Sequence, residues 1–205
     1  EKLYQIGAKP VTVSDSRGMV YDKDGIDVEL LKQVKQVEHA SLTRYAEQRK
    51  SAKYVAVADY KEGRHAVWDV PCFAAFPCAT QNELDGEDAR KLLANGVKVV
   101  AEVSNMGCRP EAIDAFIAAK IPYGPGKAVN AGGVATSGLE MTQNSQKLNW
   151  TAEEVDAKLH QIMSSIHHAC VEYGTEKDGY LNYMKGANIA GFMKVAKSMV
   201  EQGVL

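Results

Sequence analysis

No run of apolar residues in this sequence is long enough to cross a bilayer, so a helical membrane anchor within it is not expected. Lys and Arg are scattered rather than clustered and the formal net charge is -2. Nucleic acid and anionic membranes, which both call for a basic footprint, are therefore not expected partners. Cysteine is scarce at 4 residues, without a Cys-x-x-Cys pair, in a chain large enough to do without disulfide staples. A reducing compartment, the cytoplasm, is the expectation, and Glu1 to Gln5 carry no signal-peptide pattern. What is present is 205 residues with 45% hydrophobic content, enough for one substantial core or a domain plus an appendage.

Periodicity supplies the elements. Val11-Thr12-Val13-Ser14 is β-rich and closes on the turn composition Asp15-Ser16-Arg17-Gly18. Asp27 is placed to cap a long helix carrying Leu30, Leu31, Val34, Val37 and Leu42 out to Tyr45 and Ala46. The stretch from Tyr54 to Val70 reads as short strands or loop. From Cys72 onward a strand, a polar turn and a helix recur: Cys72 to Phe76 before a helix with Ala89, Leu92 and Leu93, then Val97 to Ala101 before Ile113, Phe116 and Ile117. Ile121-Pro122-Tyr123 leads to a Gly-rich segment entering a helix near Gly133. Such alternation predicts an α/β fold, a Rossmann-like parallel sheet flanked by helices. Beyond Trp150, Thr151 and Glu154 form a capping box for an amphipathic helix, and a second helix follows over about 182–201. The expected organisation is a dinucleotide-binding domain over residues 1–150 and C-terminal pivot and return helices over 151–205.

In an open parallel sheet, ligands bind beyond the carboxyl ends of the strands. Here those ends carry Ser14-Asp15-Ser16, Thr80-Gln81-Asn82, Glu102 with Ser104-Asn105, and Lys127 with Asn130. An acid just past a strand can accept from ribose hydroxyls, and Asn can pair both ends of a carboxamide. Asp, Ser and Asn are also what any turn prefers, so singly each end reads as punctuation; together they favour a nucleotide or a similar polar ligand.

Other constellations fail. Asp22-x-Asp24-Gly25 hints at a calcium loop, but its glycine comes early and Gln33 stands where the closing Glu belongs. His160 and His167 share a helix two turns apart and His168 points elsewhere, so no metal site is expected. Gly133 to Gly138 has phosphate-loop spacing, but Leu139-Glu140 follows in place of Lys and Ser or Thr. Gly-x-Gly-x-x-Gly occurs nowhere. Glu1-Lys2-Leu3-Tyr4 reads as the tail of a helix running through Gly7 into a strand. The expectation is a dinucleotide fold that opens just after its phosphate-binding turn and lacks its first βα unit.

Three longer strings go further: Pro77-Cys78-Ala79-Thr80-Gln81-Asn82-Glu83-Leu84, the run from Pro125-Gly126-Lys127-Ala128-Val129-Asn130 to Met141, and Gly186-Ala187-Asn188-Ile189-Ala190-Gly191-Phe192. The chain closely resembles, over essentially its whole length, the C-terminal portion of the small hexameric glutamate dehydrogenases. The resemblance implies oxidative deamination of L-glutamate to 2-oxoglutarate and ammonia with NADP(H), NAD being the alternative. It implies that Asn130 holds the nicotinamide carboxamide and Asn105 lies by the nicotinamide ribose. Thr80 and Gln81 would line the cofactor crevice, and Asp15 with Ser16 would sit by the adenine ribose. Val134 and Ser137 would face the glutamate side chain. The family's catalytic Lys and Asp belong to its N-terminal half, so no catalytic residue is expected here, and this chain alone is expected to be inactive. The hexamer forms largely through that other half.

Two departures stand out. Where the family usually has Ala-Glu-Gly-Ala-Asn-Met-Pro, this chain has Ala101-Glu102-Val103-Ser104-Asn105-Met106-Gly107, with β-branched Val103 where a tight backbone approach wants Gly. The basic segment that meets the 2′-phosphate in NADP-preferring members reads Glu38-His39-Ala40-Ser41-Leu42-Thr43-Arg44, leaving Arg17 and Arg44 as phosphate partners. The competing class is a noncatalytic nucleotide-binding or interaction module. A Gly-rich turn and a Lys-containing substrate domain encoded upstream would discriminate in favour of the enzyme.

Overall fold

A computed structural model describes residues 1–61 and 65–203. The chain divides into two compact units, Glu1–Cys72 with Ala94–Gly96, and Phe73–Leu93 with Val97–Leu205.

The first unit opens with the single turn α1 (Lys2–Gln5), then β1 (Thr12–Asp15) and β2 (Gly18–Asp22). Ser16 and Arg17 turn the hairpin, where the Asp15 carboxylate accepts the Arg17 main-chain N–H at 2.9 Å. Asp27 caps α2 (Val28–Lys32) by accepting from the Leu30 N–H at 3.0 Å. A π-helical turn, Gln33–Val37, leads to α3 (Leu42–Gln48) and then to β3 (Ala52–Ala56), which pairs antiparallel with β2. The strand expected at Val11–Ser14 is thus present, in a sheet of order β1-β2-β3 whose pairings are antiparallel.

The single helix expected from Asp27 to Ala46 is broken. His39 adopts a left-handed φ of 50°, the Ala40 N–H reaches back to the Val34 carbonyl at 2.9 Å, and Ser41 starts a fresh cap. The π turn shifts the phase of the apolar stripe, leaving Val37 65% exposed. Val20, Ile26, Val34, Leu42 and Tyr45 form the buried core. Asp22, fully buried, takes hydrogen bonds from Arg49 Nε, the Tyr45 hydroxyl and the Asp24 N–H. The supposed calcium loop is therefore a turn plus a helix cap, its carboxylate already occupied. Of the stretch from Tyr54 to Val70, residues 62–64 lie outside the described residues; the rest holds the end of β3 and the 3-10 turns Val57–Asp59 and Ala66–Asp69.

The second unit is the strand–helix alternation read from the sequence. In order come β4 (Ala74–Ala75), α4 (Gly86–Ala94), β5 (Val99–Ala101), α5 (Pro110–Ala118), β6 (Tyr123–Gly124), α6 (Gly126–Val129), α7 (Ala131–Gln146), α8 (Ala152–Gly174) and α9 (Tyr183–Gln202). The sheet β4-β5-β6 is parallel throughout, registering Ala74 with Val99 and Val100 with Tyr123. Leu84, Leu92, Val100, Ala112 and Phe116 are buried, and Phe116 stacks on Tyr123 with ring centroids 5.9 Å apart. Each of the larger of these side chains contributes about 2 kcal/mol by leaving water.

Thr151 and Glu154 make the expected capping box at the start of α8. Helices α8 and α9 cross at Gly186, where a Cβ would lie 2.1 Å from the Cys170 carbonyl oxygen. Only a residue without a side chain permits that approach. Since α9 also packs on β6, both C-terminal helices belong to the compact unit of the parallel sheet. No helix among the described residues is long and apolar enough to cross a membrane.

Candidate functional site

Within the second unit, the connections leaving the three parallel strands are tied to one another. After β4, the Pro77 carbonyl accepts the N–H groups of Val103 at 2.9 Å and Ser104 at 3.0 Å. The Asn82 N–H donates to the Met106 carbonyl at 2.7 Å and the Leu84 N–H to the Gly107 carbonyl at 3.0 Å. The segment carrying Thr80 and Gln81 is thereby zipped to the segment carrying Asn105, with both Thr80 and Gln81 exposed on the rim.

The loops after β5 and β6 share one buried anion. Glu102, 3% exposed, accepts the Cys108 N–H at one oxygen and the Gly126 N–H at the other, both at 2.7 Å. An acid just past a strand reads as a ribose partner; this one faces inward and holds main chain. Tyr123 and Cys108 lie beside it. Burial above all, reinforced by the neighbouring Glu102 charge, pushes both their pKa values well up, keeping thiol and phenol protonated.

Beyond that anchor two of the expected cofactor residues meet. Asn130, which closes α6, donates from Nδ2 to Asn105 Oδ1 at 2.6 Å. Val134 and Ser137 follow on α7, three residues apart and so on one face, both exposed. The Ser137 hydroxyl donates to the Gly133 carbonyl at 3.3 Å, folded back on its own helix. Asp15 and Ser16 belong to the other unit, at the β1–β2 turn. There burial would lift the Asp15 carboxyl, but the hydrogen bonds from Lys35 and from the Arg17 N–H outweigh it and hold its pKa below the ordinary value.

Three residues take roles that sequence reasoning did not give them. Glu102 is one. Lys35 is another, its Nζ 2.8 Å from Asp15 Oδ2, whereas Arg44 is engaged by Glu38 at 3.6 Å and Glu47 at 3.3 Å. The third is Asn188, whose Oδ1 accepts from Lys127 Nζ at 2.5 Å and so joins two of the strings singled out above. Lys35 falls on the helical stretch that a continuous helix would have placed elsewhere; the other two contacts close only through tertiary folding.

The departures at 103–107 also have a structural account. Val103 is not among the non-glycine residues with positive φ, which among the described residues are His39, Asn82, Met106, Lys120 and Lys147, so its β-branch introduces no backbone strain. The Ser104 hydroxyl donates to the Pro77 carbonyl at 3.3 Å, and a Cβ at position 107 would lie 2.6 Å from Ser104 Oγ. Ser104 and Gly107 therefore go together: the hydroxyl occupies the room a side chain at 107 needs.

An apolar hollow of about 380 Å³ lies elsewhere in this unit, lined among others by Val99, Ala101, Gly124, Met163, Ile166 and Cys170. Its walls are mainly carbon and offer little to phosphates, so the polar rim is the better candidate for a dinucleotide. Paired carboxamides, an exposed hydroxyl and helix starts at the strand ends fit the polar groups of a nicotinamide cofactor.

Residues 1–203 match the profile of the Glutamate/Leucine/Phenylalanine/Valine dehydrogenase family. The chain is 57% identical over 204 residues to the NADP-specific glutamate dehydrogenase of Helicobacter pylori, covering 100% of this chain and 46% of that protein. It is 56% identical over 207 residues to the NAD(P)-specific glutamate dehydrogenase of Xylanibacter ruminicola, covering 100% and 45%. The crystal structure of Plasmodium falciparum glutamate dehydrogenase superposes with a TM-score of 0.87 at 43% identity, over 100% of this chain and 43% of that one. The chain spans about half the length of the relatives it matches.

Proposed function

Because this chain belongs to the glutamate/leucine/phenylalanine/valine dehydrogenase family, we propose that it is the cofactor-binding half of an NADP-linked glutamate dehydrogenase. The whole protein would interconvert L-glutamate with 2-oxoglutarate and ammonia. The observation that carries this reading is the 2.6 Å hydrogen bond between Asn130 and Asn105 at the carboxyl ends of the parallel strands. Each side-chain amide has both a donor and an acceptor, so the pair exchanges its mutual bond for bonds to the nicotinamide end of the cofactor. Thr80 and Gln81 line the crevice beside them. Asp15 and Ser16 meet the adenine ribose, and Lys35 supplies the cation for a 2′-phosphate; NAD, lacking that phosphate, is the weaker ligand.

Bound NADP supplies the hydride acceptor. The hydride leaves the glutamate α-carbon, and water hydrolyses the resulting imine to 2-oxoglutarate and ammonia. Ser137 exchanges its bond to the Gly133 carbonyl for one to the distal carboxylate, beside Val134. A hydroxyl donor in that position selects a diacid over leucine, phenylalanine or valine, whose side chains offer no acceptor to draw it from the Gly133 carbonyl. The acid–base groups are assigned to the remaining length that the relatives possess, as is most of the contact that would build a hexamer. The cytosol is the compartment assigned, in keeping with four cysteines that are all free thiols.

The purified 205-residue chain is expected to show no glutamate-dependent NADPH formation while binding NADPH weakly, and NADH more weakly, in a fluorescence titration. Turnover by this chain alone, or tighter binding of NADH, would overturn the corresponding part of the proposal.

A further inference from the structure

We propose that Glu102 is the positioning residue of the nicotinamide end of the site, setting the separation at which Asn105 and Asn130 present their carboxamides. The inference rests on the cofactor reading above and adds to it a residue that touches no ligand.

The geometry is a closed ring. Three residues of chain lead from Glu102 to Asn105, the Asn105–Asn130 hydrogen bond crosses at 2.6 Å, four residues lead back to Gly126, and the Gly126 N–H returns to Glu102 Oε2 at 2.7 Å. The other oxygen pins the far end of the same loop through the Cys108 N–H at 2.7 Å. Both oxygens act as acceptors, the arrangement of a carboxylate rather than of an amide or a protonated acid. Charge-assisted bonds to main chain are shorter and stronger than neutral ones, so they fix loop spacing more firmly than packing alone would.

The ring also has little slack. A Cβ at position 126 would lie 2.8 Å from the Ser104 carbonyl oxygen and 3.3 Å from Glu102 Oε2, so the turn opening α6 already touches the loop after β5. A buried carboxylate is costly where its only task is to fill space, since an apolar side chain would fill it without desolvating a charge. Placed at the junction of two loops whose tips carry the paired amides, it accounts for its own burial.

The test is Glu102→Gln in the full-length protein, read with two ligands. Glutamine keeps the size, but one terminal atom becomes a donor facing a main-chain N–H, and one clamp is lost. NADPH binding is expected to weaken about tenfold, the loss of one charge-assisted hydrogen bond. Adenosine 2′,5′-bisphosphate, which carries the phosphate end without nicotinamide, is expected to bind as in the wild type. Loss of a negative charge would by itself favour an anionic ligand, so weakening in the face of it points to geometry. Unchanged binding of both ligands overturns the assignment, as does equal loss of both with a lowered unfolding temperature, the mark of a merely structural role. Should the glutamine variant fail to fold, Gly126→Ala, which wedges a methyl group between the two loops, carries the same expectation and the same contrary outcomes. Wild-type protein that binds no NADPH overturns the cofactor reading itself, whereas wild-type binding with an unmoved variant overturns only the role of Glu102.

Discussion

At the β1–β2 turn a lysine and an aspartate stand together, and they favour different cofactors. A free carboxylate by the adenine ribose suits the 2′-hydroxyl of NAD and repels a 2′-phosphate. Lys35, 2.8 Å from Asp15, neutralises that repulsion and offers a donor. Lys35→Ala is therefore expected to lower NADP(H) affinity about tenfold, one charged hydrogen bond, while NAD(H) affinity holds or improves. Paired titrations of the full-length protein check it, and equal losses for the two cofactors would remove Lys35 from the site. At this scale the sequence is legible where residues act singly. Asn105 and Asn130 can be picked out as amides after strands, and their meeting follows from parallel strand order. Glu102 could not be assigned in the same way, because whether an acid past a strand faces ligand or main chain depends on where Gly126 returns, 24 residues later. Ser137 lies on the expected helix, yet its hydroxyl bonds its own backbone, a choice that local sequence does not announce.

Among the elements, those with strong local signals came through: the Asp27 cap, the Thr151–Glu154 box, and the strand–turn–helix repeats from Cys72 onward. Apolar strands between capped helices leave few alternatives. The helix over 27–46 did not, since the π turn and the left-handed His39 are set by packing of Val34 and Leu42 into one core rather than by any Pro or Gly. The crossing of α8 and α9 was also hidden, because a glycine within a helix is indistinguishable by sequence from one at a contact. The two kinds separate by experiment. Gly186→Ala would place its Cβ 2.1 Å from the Cys170 carbonyl oxygen and is expected to destabilise by about 1–3 kcal/mol through overpacking. Gly191→Ala, in the same helix with nothing within 4 Å of its Cβ, is expected to stabilise by up to about 1 kcal/mol through helix propensity. Thermal unfolding of both variants settles it; shifts of the same sign would mean that the helices do not meet as described.

The whole molecule presents more apolar surface than its own fold uses. On α9, Phe192, Val195 and Met199 are 64%, 58% and 61% exposed, and their spacing of three and four residues puts them on one face. Val134 and Met141 on α7 are exposed as well. Stripes of this kind mark contact surfaces in soluble proteins. Relatives about twice as long as this chain have further protein with which to cover them. On its own the chain has only itself, so it is expected to associate as its concentration rises, and sedimentation velocity should show the shift. Phe192→Ser with Met199→Ser interrupts the stripe at both ends without touching the buried Gly186 crossing, and it should restore the monomer while leaving weak NADPH binding in place. A wild-type chain that stays monomeric at every concentration would mean that α9 tolerates its exposed face. A double variant that loses NADPH binding as well would mean that the face supports the cofactor site.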